Sequence, residues 1–199
     1  MNGSDPVRQI AEDRTLARTR SDPNADVCFM AITGSDGSAT VRTLVLREIR
    51  ENRFGVFLNK SSPKWRDLQA TRNYEVLLFY PTLGRQYRLK GDFEEIPRAL
   101  LKSNWQQRPE GSRYLDHYYE EIAPQSSVIE SRQELISRIE ALKQKYPSAE
   151  ELPVPPSANG LDLVITSIDM LDISNTDRLH DRRRFTLKEG GWLEQVLVP

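Results

Sequence analysis

Apolar positions along this chain follow two rhythms. Between residues 26 and 96 they come as short β-branched and aromatic runs separated by glycine, proline and charge. The runs Val27–Thr33, Val41–Arg47, Phe54–Leu58, Tyr74–Tyr80 and Arg85–Ile96 read as strands. In the last, Gln86, Arg88 and Lys90 share one face and Tyr87, Leu89 and Gly91 the other. Gly34-Ser35-Asp36-Gly37 is a hairpin turn, because aspartate and glycine tolerate positive φ. Arg47–Arg53 is too charged for a core and reads as a reversal, and Pro81–Gly84 turns the chain again. One helix interrupts the series, Trp65–Ala70, with Ser61 or Ser62 as cap and Pro63 at its first position. Short strands joined by tight turns favour an antiparallel barrel over a parallel sheet.

Elsewhere apolar residues return every three or four positions. Ser4–Arg20, with Val7, Ile10, Ala11, Leu16 and Ala17, is an amphipathic helix capped by Ser4 or Asp5, and Arg20–Ala25 is a loop. Pro97–Gln107 carries Ala99, Leu100, Leu101 and Trp105 and reads as a helix that Arg108–Gly111 ends. Ser112–Glu121 is a second helix, with Tyr114, Tyr118 and Tyr119 clustered on it. After a break at Pro124–Ser127, Ile129–Tyr146 has Ile129, Leu135, Ile136, Ile139 and Leu142 near helical spacing. Pro147–Gly160 holds four prolines and is a loop; Leu161–Ile168, Arg184–Lys188 and Trp192–Val198 are three further strands. Trp65, Trp105 and Trp192 are expected in the core. The pattern describes one mainly-β domain with helices, an α+β fold over residues 1–199. It divides into a helical arm (1–25), barrel strands (26–96), a helical segment (97–146), a proline-rich loop (147–160) and C-terminal strands (161–199).

Composition narrows the function. The 28 basic and 29 acidic residues leave a net charge of −1, which argues against a general nucleic-acid or membrane-surface binder. No apolar run approaches the roughly 20 residues of a membrane span, and no secretory signal is visible, so a cytoplasmic location is expected. Cys28, the only cysteine, excludes an intrachain disulfide and fits a reducing compartment. Its apolar setting points to a buried structural thiol. The two histidines, His117 and His180, have no second ligand at metal spacing, so no metal is expected. Dinucleotide, P-loop and serine-hydrolase motifs are absent.

Four places carry candidate chemistry. Asn59–Lys64 places Lys64 beside the free N–H groups of a helix start, a phosphate site to which Arg42 and Arg47 add charge. A solvated basic loop beside a capped helix is the plainer reading. Arg178-Leu179-His180-Asp181-Arg182, taken as a strand, sets Arg178, His180 and Arg182 on one side, an anion site with a titratable centre or an exposed charged strand. Arg108 and Ser112 bind an anion, or they close one helix and cap the next. Gln125-Ser126-Ser127 reads first as a cap for the helix that follows, and Gln86, inside a strand, wants a buried partner or an outward face.

In order along the chain, RTLVLR (42–47), NKSSPK (59–64), TLGRQ (82–86), QRPEGS (107–112), QSS (125–127), LPVPP (152–156) and RLHDR (178–182) resemble the pyridoxine/pyridoxamine 5′-phosphate oxidase family. The resemblance covers about residues 26–199. It implies an FMN-binding split β-barrel with flanking helices, a homodimer, and FMN held between the two subunits. By the same match Arg42 and Lys64 would bind the FMN phosphate, with Thr43, Leu44, Phe57 and Leu58 around it. Gln86 would contact the isoalloxazine, Gln125 and Ser126 would reach FMN from the other subunit, and Arg182 would complete the flavin site. Arg47, Arg108 and Ser112 would take the substrate phosphate, with Arg178 and His180 over the substrate as catalytic residues. Where such proteins carry a Phe-Trp-Gln run, a tyrosine before the Arg-Pro pair, and a lysine in the substrate site, this chain has Leu171-Asp172-Ile173, Asn104 and Arg47. The activity implied is oxidation of pyridoxamine or pyridoxine 5′-phosphate by hydride transfer to FMN, with oxygen as acceptor. An FMN-dependent reductase with another substrate, and a non-catalytic FMN- or pyridoxal phosphate-binding protein, stand as alternatives.

Overall fold

The computed structural model describes residues 5–199. Helix α1 (Pro6–Thr19) is followed by strands β1 (Val27–Thr33), β2 (Ala39–Arg50) and β3 (Arg53–Asn59), helix α2 (Pro63–Thr71), and strands β4 (Tyr74–Tyr80) and β5 (Arg85–Glu95). Helices α3 (Arg98–Gln106), α4 (Glu110–Glu121) and α5 (Arg132–Lys145) then precede strands β6 (Ala158–Asp172), β7 (Asp181–Lys188) and β8 (Gly191–Leu197). The sheet order is β3-β2-β1-β4-β5-β6-β7-β8, and β3 also pairs with β6. Six strands therefore close into a barrel, and β7 and β8 extend from it. Every pairing is antiparallel.

Closure depends on the length of β6. Its first half lies against β3, Ala158 opposite Asn59 through Val164 opposite Arg53, while Leu161–Asp172 runs along β5. Leu161–Ile168 marks only the middle of this strand, because both ends carry polar residues paired at the barrel rim. Between Lys90 and Gly91 the β5–β6 register slips. A Cβ at Gly91 would lie 1.9 Å from the Val164 carbonyl oxygen, so only glycine allows the two backbones to approach.

The barrel interior is filled by alternate residues, among them Met30, Leu46, Phe54, Leu78, Tyr87, Leu89, Leu161 and Ile165. A second cluster under the helices gathers Trp105, Tyr114, Tyr118, Leu142 and Leu152. Trp105 is fully buried, whereas Trp65 and Trp192 only pack on the rim of the main core. Burial pushes the Cys28 thiol up to about 12, consistent with an inert structural cysteine.

Several local expectations are corrected. The charged stretch after Arg47 is strand, not reversal: β2 runs to Arg50, with a register shift between Leu46 and Ile49, and the turn is confined to Glu51-Asn52, Glu51 at φ 50°. Charge is tolerated there because those side chains face outward. Ser62 occupies the N-cap of α2, yet its hydroxyl donates to the Asn59 carbonyl (2.6 Å) instead of capping. The start of α4 comes earlier than expected, at Glu110 behind Pro109. Helix α5 begins at Arg132, capped by Ser131 accepting from the Glu134 N–H (3.1 Å), so Gln125–Ser127 does not cap it. At α1 the cap is Asp5, accepting from the Val7 N–H (3.0 Å); Ser4 lies outside the described residues.

Candidate functional site

A cavity of about 250 Å³ opens where β2, β3, the start of α2 and one face of α4 meet. It is lined by Arg42, Thr43 and Leu44 of β2, Phe57, Leu58 and Asn59 of β3, and Lys64 of α2, and also by Arg108, Ser112, Leu115, Asp116, Tyr119 and Gln125. Nine residues proposed from sequence meet here, from segments up to 83 positions apart, Arg42 to Gln125.

The local structure explains each position. Strand β3 ends at Asn59, whose side-chain oxygen accepts from the Ser61 N–H (2.8 Å) and fixes the bend into α2. Ser61 in turn accepts from the Gln125 N–H (3.1 Å), which docks the segment after α4 onto this bend. Lys64 Nζ donates to Gln125 Oε1 (2.8 Å). Among the described residues no carboxylate lies within ion-pair distance of Lys64. Its ammonium is pushed down to about 8, first by desolvation and then by the neighbouring Arg42. An uncompensated, half-buried cation next to an arginine and a helix N-terminus is chemistry suited to a phosphate.

At the other end Arg108 lies against the Phe57 ring, and Arg47, which does not line the cavity itself, packs on the same ring, their guanidinium carbons 5.8 and 5.3 Å from its centroid. The Arg47 pKa is lowered by desolvation and by Arg108. Ser112 is inside the first turn of α4, and Arg108 does not close α3 with its side chain; both face the cavity. Arg108 donates to Asp116 Oδ2, which also accepts from Trp105 Nε1 (2.7 Å). Desolvation raises the Asp116 pKa, against the pull of Arg108 and Trp105. Asp116, Leu115 and Tyr119 are lining residues that sequence reasoning missed. Their signal was present: with Ser112 they occupy positions i, i+3, i+4 and i+7, one face of a helix.

The remaining candidates lie elsewhere on this chain. Gln86, Leu171 and Arg182 pair in register across β5, β6 and β7, so they share one face of the sheet, outside the cavity. Arg182 is held by Asp169 (3.1 and 3.0 Å), which also takes Arg88 (2.9 Å) and Arg184 (3.4 Å). Gln86 thus takes the outward position rather than a buried one. Arg178 and His180 are not on a strand: β7 begins at Asp181, Arg178 has φ 63°, and His180 Nδ1 accepts from the Ser174 N–H (3.1 Å). The strand alternation expected over Arg178–Arg182 therefore fails, because Asp177 and His180 tie this segment into a loop with Ser174. Ser126 is exposed, at φ 72°, and does not line the cavity. Gln125, expected from a partner subunit, meets Lys64 of its own chain.

The architecture is a closed six-stranded antiparallel barrel with a cation-lined cavity at its flank, and comparison with known proteins specifies its class. The chain is 31% identical over 198 residues to the pyridoxine/pyridoxamine 5′-phosphate oxidase of Myxococcus xanthus strain DK1622, covering 98% of this chain and 92% of that protein. It is 28% identical over 197 residues to the enzyme of the same name from Leptospira biflexa, covering 99% and 90%. No family model matches the chain. Among solved structures, PhzG from Burkholderia lata, in complex with tetrahydrophenazine-1-carboxylic acid, superposes with a TM-score of 0.87 at 21% identity, covering 100% of this chain and 94% of that one. A pyridoxamine 5′-phosphate oxidase-related FMN-binding protein from Nostoc punctiforme gives 0.75 at 20% identity, covering 99% and 100%. The chain belongs to the pyridoxine/pyridoxamine 5′-phosphate oxidase family, and its fold is the split barrel of that family.

Proposed function

We propose that this protein is an FMN-dependent oxidoreductase acting on a small anionic substrate. The observation that carries the reading is Lys64: a cation desolvated beside Arg42 at the start of α2, whose one hydrogen-bond partner among the described residues is the Gln125 amide. Arg42, Lys64 and the α2 N-terminus would hold the FMN phosphate, Gln125 would orient Lys64, and Thr43, Leu44, Phe57 and Leu58 would wall the site. When bound, FMN supplies a two-electron acceptor for hydride, with oxygen as the terminal oxidant yielding hydrogen peroxide. The protein's own part is positioning and electrostatics. Arg47, Arg108 and Ser112 would grip the substrate's anionic group. The family name puts pyridoxamine and pyridoxine 5′-phosphate first among substrates to assay, which would place the protein in pyridoxine biosynthesis.

A homodimer follows from the same reading. Gln86 and Arg182 share an outward sheet face away from the cavity, so they touch a flavin only if it is another chain's. Arg178 and His180, on the adjoining loop, would reach the substrate in the same way. The single buried cysteine fits a cytoplasmic setting, and among the described residues no helix is long and apolar enough to cross a membrane.

The test is an absorbance spectrum of the purified protein after FMN addition and desalting, then anaerobic mixing with pyridoxamine 5′-phosphate. Retained flavin bands and bleaching on mixing, followed by peroxide on aeration, are expected of the oxidase. Bleaching only with a nicotinamide donor would make it a reductase. Retained flavin with no bleaching by either would leave a binding protein, and failure to retain FMN would overturn the whole reading.

A further inference from the structure

The substrate end of the cavity carries less positive charge than its arginines suggest. Arg108 donates to Asp116, whose side chain is only 5% exposed and also holds the Trp105 indole. One of the two cations assigned to the substrate, Arg108 in the cavity wall and Arg47 beside it on the Phe57 ring, is therefore neutralised from within the fold. Arg47 is the other, and among the described residues no carboxylate lies within ion-pair distance of it. Arg42 and Lys64 stand beside the α2 N-terminus, where the proposed cofactor phosphate would occupy them. The charge left for a substrate is close to a single positive unit. Arg108 still has a donor to offer, since only its Nη1 is given to Asp116 and its Nη2 is not.

A phosphate monoester brings about −1.5 to −2 at neutral pH, whereas a carboxylate brings one negative charge and two oxygens that fit a guanidinium fork. Leaving a second negative charge unpaired next to Asp116, in a desolvated pocket, is costly. We infer that the anionic group this site prefers is a singly charged carboxylate rather than a phosphate dianion, and that Asp116 sets the preference through Arg108. This inference rests on the functional reading above only in that Arg47, Arg108 and Ser112 grip the substrate's anionic group; it makes a phosphorylated pyridine the weaker ligand of that site. Asp116 is a positioning and charge-setting residue; it acts on the ligand through Arg108.

Phenylacetate and benzyl phosphate form a suitable probe pair, an aromatic ring carrying one or the other group. Their binding to the FMN-loaded protein is measured by calorimetry at pH 7.5, for wild type, Asp116→Asn and Asp116→Glu. Asparagine keeps an oxygen to accept from Arg108 and Trp105 but removes the charge. Wild type is expected to bind phenylacetate more tightly. In Asp116→Asn, benzyl phosphate should gain about tenfold more affinity than phenylacetate gains, while Asp116→Glu keeps the wild-type preference. A purely structural role would weaken both probes together and leave their ratio alone. An unmoved ratio in the asparagine variant overturns the inference, as does wild type preferring benzyl phosphate or binding neither probe. If Asp116→Asn melts too early to titrate, Arg108→Lys must narrow the preference by loosening the Asp116 contact, and an unchanged ratio there is equally fatal. Failure of wild type to retain FMN would instead defeat the functional reading itself.

Discussion

Replacing Lys64 with methionine keeps the apolar stem and removes the charge, which tests the phosphate site from two sides. In the FMN-free folded chain Lys64 titrates at about 8 against an ordinary 10.5, through desolvation first and Arg42 second. The unfolded chain thus holds that proton more tightly than the folded one. Stability of the FMN-free protein should carry the full penalty below pH 8 and recover as pH rises from 8 towards 10.5. At 1.36 kcal/mol per pH unit the ceiling is about 3 kcal/mol. Lys64 keeps some contact with solvent, so about 1–2 kcal/mol is the working figure. Lys64→Met should therefore raise the FMN-free melting temperature at pH 7 by a few degrees, about 2–4 °C per kcal/mol for a chain of this size. It should also weaken FMN binding about tenfold to a hundredfold, the worth of one charge-assisted contact. In wild type, FMN affinity should be flat below pH 8 and fall above it, as the binding ammonium loses its proton; in the variant that fall should vanish. Flavin-fluorescence titration from pH 6.5 to 9.5, with thermal melts of both FMN-free proteins, measures all of this. A variant that binds FMN like wild type, with the same pH profile, would refute the assignment of Lys64 to the phosphate.

Three further outcomes are expected. Arg14→Ala removes the donor to the carbonyls of Ala25, Leu46 and Arg47; urea unfolding should show a loss of about 3 kcal/mol, and the freed β2 segment should weaken substrate binding at Arg47 more than FMN binding. Gly91→Ala forces a methyl group into the Val164 carbonyl and should cost about 3 kcal/mol or prevent folding, read from the urea midpoint. Arg178→Ala and His180→Ala should lower turnover with little change in FMN affinity, whereas Arg182→Ala should release FMN and free Asp169; sedimentation should show a dimer, and a monomer that still holds FMN would contradict the shared site.

Local physics made much of this molecule legible from sequence. Val27–Thr33 and Tyr74–Tyr80 are strands over the limits their apolar runs suggest, because burial inside a barrel selects β-branched and aromatic residues in sequence order. The start of α2 was legible for a similar reason: a proline at a helix start and a lysine beside it are neighbours in sequence as well as in space. Other features needed the tertiary structure. Closure of the barrel joins Arg53–Asn59 to Ala158–Val164, about a hundred residues away, and no local pattern specifies that pairing. The outward charge of Glu48 and Arg50 looked like a turn, yet the strand continues there, since only one face of it meets the core. Nothing in the sequence around Arg14 marks it out; it is buried, and it secures the irregular part of β2 by its carbonyls. Arg178–His180 looked like a strand because alternation was read into five residues, but hydrogen bonds from Ser174 hold it as a loop. Asp116 takes the Arg108 guanidinium in the cavity wall, a pairing set by the junction of two helices rather than by the sequence around either residue.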